Sequence, residues 1–197
     1  MNRYDYFSGF YDKVLQKVEK STLQDLRRQF VPKIKGKTLD IAVGTGHNIQ
    51  YYPPGSQVVL LDKSLKMLEL SKVKAEAIHH QLKLEFQHAP AELLPFEDNT
   101  FDTILSIDVF CSIKNPMKVL QELHRVLKKD GQAIFVEHMK TGKRVKDIFL
   151  SIITVFTYLA VGSSMIRPID QYIQSSEFNV KAVTDLKGTF KSFICTY

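Results

Sequence analysis

The stretch Thr38-Leu39-Asp40-Ile41-Ala42-Val43-Gly44-Thr45-Gly46-His47 constrains this chain of 197 residues more than any other. Leu39 through Val43 reads as a short buried strand, and Gly44 and Gly46 break it into a tight turn. Glycine, with no Cβ, bends the backbone through φ > 0 and lets a ligand approach closely. Val58-Val59-Leu60-Leu61 reads as a second buried strand, closed by a lone acid, Asp62. An acid about 20 residues beyond such glycines is placed to hold the hydroxyls of a ribose. The pattern implies an adenosine-containing cofactor.

The following segments keep alternating between strand and helix. Ser64 is a good N-cap for a helix running to about 80, with Leu65, Leu68 and Val73 on its apolar side. Residues 82–86 alternate as a strand does, 89–99 read as a loop, and 101–107 as a fourth strand. Asn115-Pro116 opens another helix, because proline is favoured at the first helical position. Val119, Leu120, Leu123, Val126 and Leu127 give it a buried stripe, Asp130-Gly131 closes it, and 132–137 form a fifth strand. That order predicts a parallel sheet with helices on both faces. Ahead of it, Phe10, Val14, Val18, Leu26 and Phe30 recur at helical spacing as one long or two short amphipathic helices, and 33–37 is a basic linker. Two β-rich stretches near 178–180 and 189–197 flank Lys187-Gly188 and predict an antiparallel hairpin.

Hydrophobic residues at 44% and charged ones at 24% are ordinary for a soluble domain, and 197 residues suffice for one full core. Charges throughout 1–20 rule out a secretory leader there, so a cytoplasmic location is expected. Cys111 and Cys195 lack metal-ligand spacing, and no metal is expected. The net charge of +6 is uneven: residues 1–37 hold nine Lys/Arg against four Asp/Glu. Lys140, Lys143, Arg144 and Lys146 form a second basic cluster. Such clusters suit phospholipid headgroups or acidic substrates, or are simply solvated helix faces. Residues 148–166 form a charge-free run that barely reaches the roughly 20 residues of a membrane span.

Strand, Gly-Thr-Gly turn and acid, then Leu94-Pro95-Phe96-Glu97-Asp98-Asn99-Thr100-Phe101-Asp102, then the helix Val119-Leu120-Gln121-Glu122-Leu123-His124-Arg125-Val126-Leu127-Lys128 closed by Asp130-Gly131, together resemble a class I S-adenosylmethionine (SAM) dependent methyltransferase. The resemblance implies an α/β, Rossmann-like fold: a seven-stranded, mostly parallel sheet with a C-terminal antiparallel hairpin and helices on both faces. Within the superfamily the chain is similar to the branch of ubiquinone/menaquinone C-methyltransferases, phospholipid N-methyltransferases and membrane-associated thiol methyltransferases. The residues that carry this are Gly46-His47-Asn48-Ile49-Gln50-Tyr51-Tyr52-Pro53-Pro54-Gly55, Phe135-Val136-Glu137-His138 and Tyr11-Asp12. One methyltransferase domain over 1–197 is expected: a helical cap (1–37), a SAM-binding core (38–138), a substrate lid (139–175) and the hairpin (176–197).

By that resemblance the SAM site comprises Tyr11, Asp40, Ala42, Gly44, Gly46, Asn48, Asp62, Lys63, Met67, Ala91, Glu92 and Ile107. Asp62 would accept from both ribose hydroxyls. Asp40 would order the loop and approach the methionine amino group, or serve as a strand-end carboxylate bonding backbone amides. Asp108 and His138, at carboxyl ends of strands, are the catalytic candidates; either could equally be a structural loop cap or a structural histidine. Tyr4 and Tyr11 would close over the cofactor or face the core. Two positions depart from the family: Ala42 replaces a usual glycine, tolerable if it lies in the strand, and Pro90 replaces an adenine-binding acid. Ala91, Glu92 or His88 would then serve adenine.

Methyl transfer from a sulfonium needs positioning more than acid–base machinery. The expected acceptor is therefore a small apolar or lipid-like molecule of phospholipid, quinone or thiol type, met at a peripheral membrane contact under the 148–166 lid. A soluble metabolite as acceptor, or SAM/SAH binding without catalysis, are the alternatives. Tyr52-Pro53-Pro54-Gly55 lacks the leading Asp or Asn of amino-methylating nucleic-acid enzymes and neither cysteine follows a proline, so nucleic acid is disfavoured.

Overall fold

The computed structural model describes residues 22–78, 81–140 and 166–197, together with 147, 151, 154, 163 and 164. The elements in chain order are α1 (Gln24–Phe30), β1 (Lys37–Ile41), β2 (Gln57–Asp62), α2 (Leu65–Glu76), β3 (Lys83–His88), β4 (Phe101–Ile107), α3 (Pro116–Val126), β5 (Leu127–His138), α4 (Ile169–Gln174), β6 (Asn179–Asp185) and β7 (Phe190–Thr196). The expected helices of 1–21, with Tyr4, Tyr11 and Tyr11's partner Asp12, lie outside the described residues, as does most of the predicted lid.

The seven strands form one sheet in the order β3-β2-β1-β4-β5-β7-β6. β1 to β5 run parallel, and β7 runs antiparallel to both β5 and β6. β1 lies between β2 and β4, so the chain winds outward one way to β3 and then the other way from β4. The crevice where strand order reverses, at the carboxyl ends of β1 and β4, is where open α/β sheets bind ligands.

Both faces of the sheet are covered, and the period of two sorts the side chains between them. Val59, Leu61, Ile104 and Phe135 enter one core with α3 and α4. Their strand neighbours Val58, Leu60, Leu105 and Ile134 enter the other, with Leu26 and Phe30 of α1. α4, inside the predicted lid segment, is ordinary core: Ile169 and Ile173 are fully buried.

Several boundaries differ from the sequence expectation. α2 stops at Glu76 and buries Met67, Leu68 and Ser71, while Leu65 and Val73 are 51% and 64% exposed. The reason is Gly46: a Cβ there would lie 2.7 Å from Ile49 Cδ1 and 2.9 Å from Ser71 Cβ, so the small Ser71 marks the contact stripe. α3 begins as expected, with the Asn115 side chain accepting from Lys118 N and Pro116 at its first position. It ends at Val126, four residues before Asp130, because Leu127 is already extended and pairs with Phe101. A bulge between Phe101 and Thr103 absorbs Asp130-Gly131 into the strand.

Ala42 lies one residue past β1, with φ +48°, rather than within the strand. The left-handed region costs an L-residue about 1–2 kcal/mol, against a smaller entropic penalty for glycine. Ala42→Gly is therefore expected to raise stability by about 0.5–1 kcal/mol in urea denaturation. A loss would mean that the packing of the Ala42 methyl outweighs the strain.

Candidate functional site

The turn after β1 is tied to the neighbouring strand at two points. Val43 N donates to Leu61 O at 3.1 Å, and Gly44 N donates to Asp62 Oδ2 at 2.9 Å. Asp62 Oδ1 accepts from Ser64 N at 2.8 Å, so one carboxylate spans the turn and the start of α2. Burial raises the Asp62 pKa, opposed by the Ser64 and Gly44 amides. A carboxylate has about four acceptor positions, and these two bonds leave room for two hydroxyls. Gly44 has φ +55° and nothing within 4 Å of where its Cβ would stand. Gly46, at φ +81°, meets Ile49 and Ser71 instead. The first glycine opens space for a ligand; the second seats the turn on α2.

Below the turn, Asp40 is fully buried. Its Oδ2 accepts from Asn48 Nδ2 at 2.8 Å and from the Tyr52 hydroxyl, and its Oδ1 has no hydrogen-bond partner. Burial pushes its carboxyl up to about 6, opposed by Tyr52, Asn48 and the Arg27 charge. Asn48 Oδ1 accepts in turn from Arg27 Nε at 2.8 Å. Asp40 thus ties the end of β1 to Asn48 and Tyr52 of the following loop.

The opposite wall comes from β4 and β5. Asp108 follows β4 with φ +60° and donates its N–H to Val136 O at 2.9 Å. Its Oδ1 lies 2.6 Å from His138 Nδ1 at the end of β5. Burial would raise the Asp108 pKa, but the His138 bond and charge, with Arg27, hold it below the usual value. An ionised Asp108 only accepts, so His138 carries its proton on Nδ1 and presents Nε2 as the other ring atom. His138 is 5% exposed, and among the described residues Nε2 has no hydrogen-bond partner within 3.5 Å. Burial lowers its pKa, and the bond and charge of Asp108, with the Glu137 charge and the Ser164 backbone, turn that into a net rise. Beside it, Glu137 accepts from Ser106 Oγ (2.7 Å), Val109 N (3.0 Å) and Phe110 N (3.1 Å), pinning the turn after β4. Burial, then the Asp108 charge, pushes the Glu137 carboxyl up to about 8.

One cavity is lined by Ala42, Gly44, Asn48, Ile107 and Asp108 of the expected set. Asp62 joins it through Gly44, and His138 through Asp108. Met67 and Ala91 are buried, Glu92 is half-buried and Lys63 exposed, all on the side of β2 and β3. His88 is exposed, with its Nε2 3.1 Å from Lys63 O. Tyr11 lies outside the described residues. Two residues were missed. Arg27 lines the cavity from α1, and its signal was position: Leu23, Leu26, Arg27 and Phe30 share the helix's apolar stripe. Glu137 was an acid set into an apolar strand. Contrary to the expectation from spacing, Asp108, Cys111 and His138 also converge, with one donor atom of each within 4.8 Å of the others.

The family description "methyltransferase domain" matches residues 39–135, the span from β1 to β5. A human thiol S-methyltransferase, TMT1B, is 36% identical over 127 residues, covering 59% of this chain and 52% of that protein. The ubiquinone/menaquinone biosynthesis C-methyltransferase UbiE of Citrifermentans bemidjiense is 36% identical over 119 residues, 56% of this chain and 51% of its own. The chain thus spans about half the length of these relatives. A SAM-dependent methyltransferase structure from Thermotoga maritima matches with a TM-score of 0.72 at 19% identity, covering 98% of each chain. The methyltransferase domain therefore sits in a class I, Rossmann-like fold.

Two outcomes follow from this geometry. Asp62→Ala is expected to lower affinity for S-adenosylhomocysteine about 100-fold or more in calorimetry, with the far-UV circular dichroism unchanged. Unchanged affinity would remove Asp62 from the ribose site. Asp40 binds its proton more tightly folded than unfolded, so its contribution is present below about pH 4 and lost as pH rises through about 6. Stability relative to Asp40→Asn should therefore fall by about 2 kcal/mol between pH 4 and 7, read from urea melts across that range.

Proposed function

We propose that this protein is a SAM-dependent methyltransferase acting on a small apolar or lipid-like acceptor, of the kind that must lose a proton to become nucleophilic, as a thiol does. The observation that carries this reading is His138: buried, held through Nδ1 by Asp108, and with Nε2 unpartnered at the strand ends that border the cavity. An amine acceptor needs no such base once it is neutral; a thiol or an acidic carbon does.

In this reading Asp62 holds the ribose, Ala91 and Glu92 flank the adenine, and Arg27 supplies a fixed cation for the methionyl carboxylate. SAM, when bound, supplies the activated methyl group. His138 Nε2 would take the acceptor's proton, and Asp108 would steady the imidazolium that results. Glu137 acts through position alone, fixing the turn that carries Asp108. The lid over the acceptor is assigned to the part of 139–175 that precedes α4; Ser164 N, which donates to Cys111 O at 3.0 Å, supports this by lying against the turn after β4. Lys140, Lys143, Arg144 and Lys146 suit a cytoplasmic, peripheral contact with an anionic membrane surface. Among the described residues no helix is long and apolar enough to cross a membrane. The whole of 1–197 acts as one methyltransferase domain.

The test is transfer of label from methyl-tritiated SAM into alkyl thiols and a lipid extract. Label partitioning into the organic phase is expected; label confined to water-soluble products overturns the apolar acceptor. His138→Gln is expected to lower kcat about 100-fold while S-adenosylhomocysteine affinity stays within about twofold.

A further inference from the structure

Just ahead of α4 the chain returns to the acceptor side of the site. Ser164 N donates to Cys111 O at 3.0 Å, and Arg167 Nη1 donates to Ile113 O at 2.5 Å. Both carbonyls belong to the single turn Phe110–Ser112 after β4 and its C-cap, Ile113. The Ser163 side chain also reaches the Cys111 thiol, and the Ser164 backbone reaches the His138 ring. Ser163, Ser164 and Arg167 therefore lie across this turn, with His138 beside the serines and a guanidinium at the other end.

That guanidinium is under-used. It carries five N–H donors, and among the described residues Arg167 makes one bond, to a backbone carbonyl that a neutral amide would serve as well. It is half-buried, and among the described residues no carboxylate pairs with it. Arg125 shows the contrast: its guanidinium, on α3, is taken by Glu122 and Asp98. The charge of Arg167 is felt at the Cys111 thiol, whose sulfur lies within 4.8 Å of a donor atom of both Asp108 and His138. A permanent cation with free, coplanar donors matches a carboxylate or phosphate bidentately.

We propose that Arg167 is a specificity residue that holds an anionic group, carboxylate or phosphate, at one end of an apolar acceptor whose other end is presented to His138. The acceptor class narrows to an amphiphile with a fixed negative charge, and which of its ends reacts rests on the function proposed above. Electrostatics orients such a molecule one way. Asp108 is ionised beside His138 and repels an anion there, whereas Arg167 attracts it at the far end of the turn. The turn that separates them carries Phe110, Cys111 and Ile113 and suits an alkyl body.

The test compares ω-mercaptoalkanoates with alkanethiols of the same chain length as methyl acceptors of the full chain. The wild type is expected to favour the carboxylate about 10-fold in kcat/KM at the best chain length. Arg167→Gln keeps a donor for the Ile113 carbonyl and removes the charge; it should abolish that preference, chiefly through KM, whereas Arg167→Lys should keep most of it. A wild type without the preference, or a loss of equal size on both acceptors in Arg167→Gln, overturns the proposal and leaves Arg167 as a strap on the turn. Unreactive analogues separate binding from chemistry. Octanoate and octyl phosphate are titrated by calorimetry into the protein saturated with S-adenosylhomocysteine, with octanol as the neutral reference. Tighter binding of either anion than of octanol, lost in Arg167→Gln, supports the site, and the anion that binds tells carboxylate from phosphate. If that binding is found while no thiol is methylated, the proposed function fails and the anion site stands. No preference for either anion over octanol, or one equal in wild type and Arg167→Gln, overturns the site.

Discussion

Everything in this site depends on turning the backbone sharply at the end of β1 while keeping its amides satisfied. Three residues in five, Ala42, Gly44 and Gly46, adopt φ > 0 to do so. The turn is then fastened by side chains rather than by ladder bonds: Asp62 takes the amide of Gly44, and Asp40 gathers Asn48 and Tyr52 from the loop's far side. If either acid were apolar, the turn would lose its fastening and the crevice its floor. The glycines divide the work, since one faces open space and the other is pressed against Ser71.

The acids around the crevice show how burial is used. Asp40 and Glu137 lie on opposite sides of it, both fully buried, Asp40 holding the loop through Oδ2 and Glu137 holding the turn after β4 through both oxygens. Burial pushes both towards protonation. Asp108 has the opposite balance, because a histidine and an arginine charge outweigh its burial. The fold thus keeps one carboxylate ionised next to another that resists ionising. That contrast fixes the tautomer of His138 without any further partner.

The sheet was legible in the sequence because its strands are short apolar runs ending at glycine or acid, and β2, β4 and the hairpin fall where those runs predict. α2 was harder. Leu65 and Val73 look like its buried face, but the packing partner is a glycine turn, which selects small Ser71 and moves the stripe. The end of α3 was misplaced because Asp130-Gly131 is a good helix stop in isolation; only the pairing of Leu127 with Phe101, a contact distant in sequence, reveals the bulge. The residues that line the crevice at the turn, Gly44 and Asn48 among them, were legible through their spacing. Arg27 and the meeting of Cys111 with His138 were not, because α1 and the adjacent ends of β4 and β5 are brought together only by the sheet order.

Arg27 has a consequence for how the molecule is divided. The matched domain begins at residue 39, yet a wall of its cavity is built by α1, which precedes it. α1 is a short helix of seven residues, packed through Leu26 and Phe30 against the sheet, with Arg27 bonded to Asn48. A helix that short has little stability of its own. Its docking and the shape of the cavity it lines are therefore coupled, and a load on α1 is felt at Arg27 and at the turn after β1.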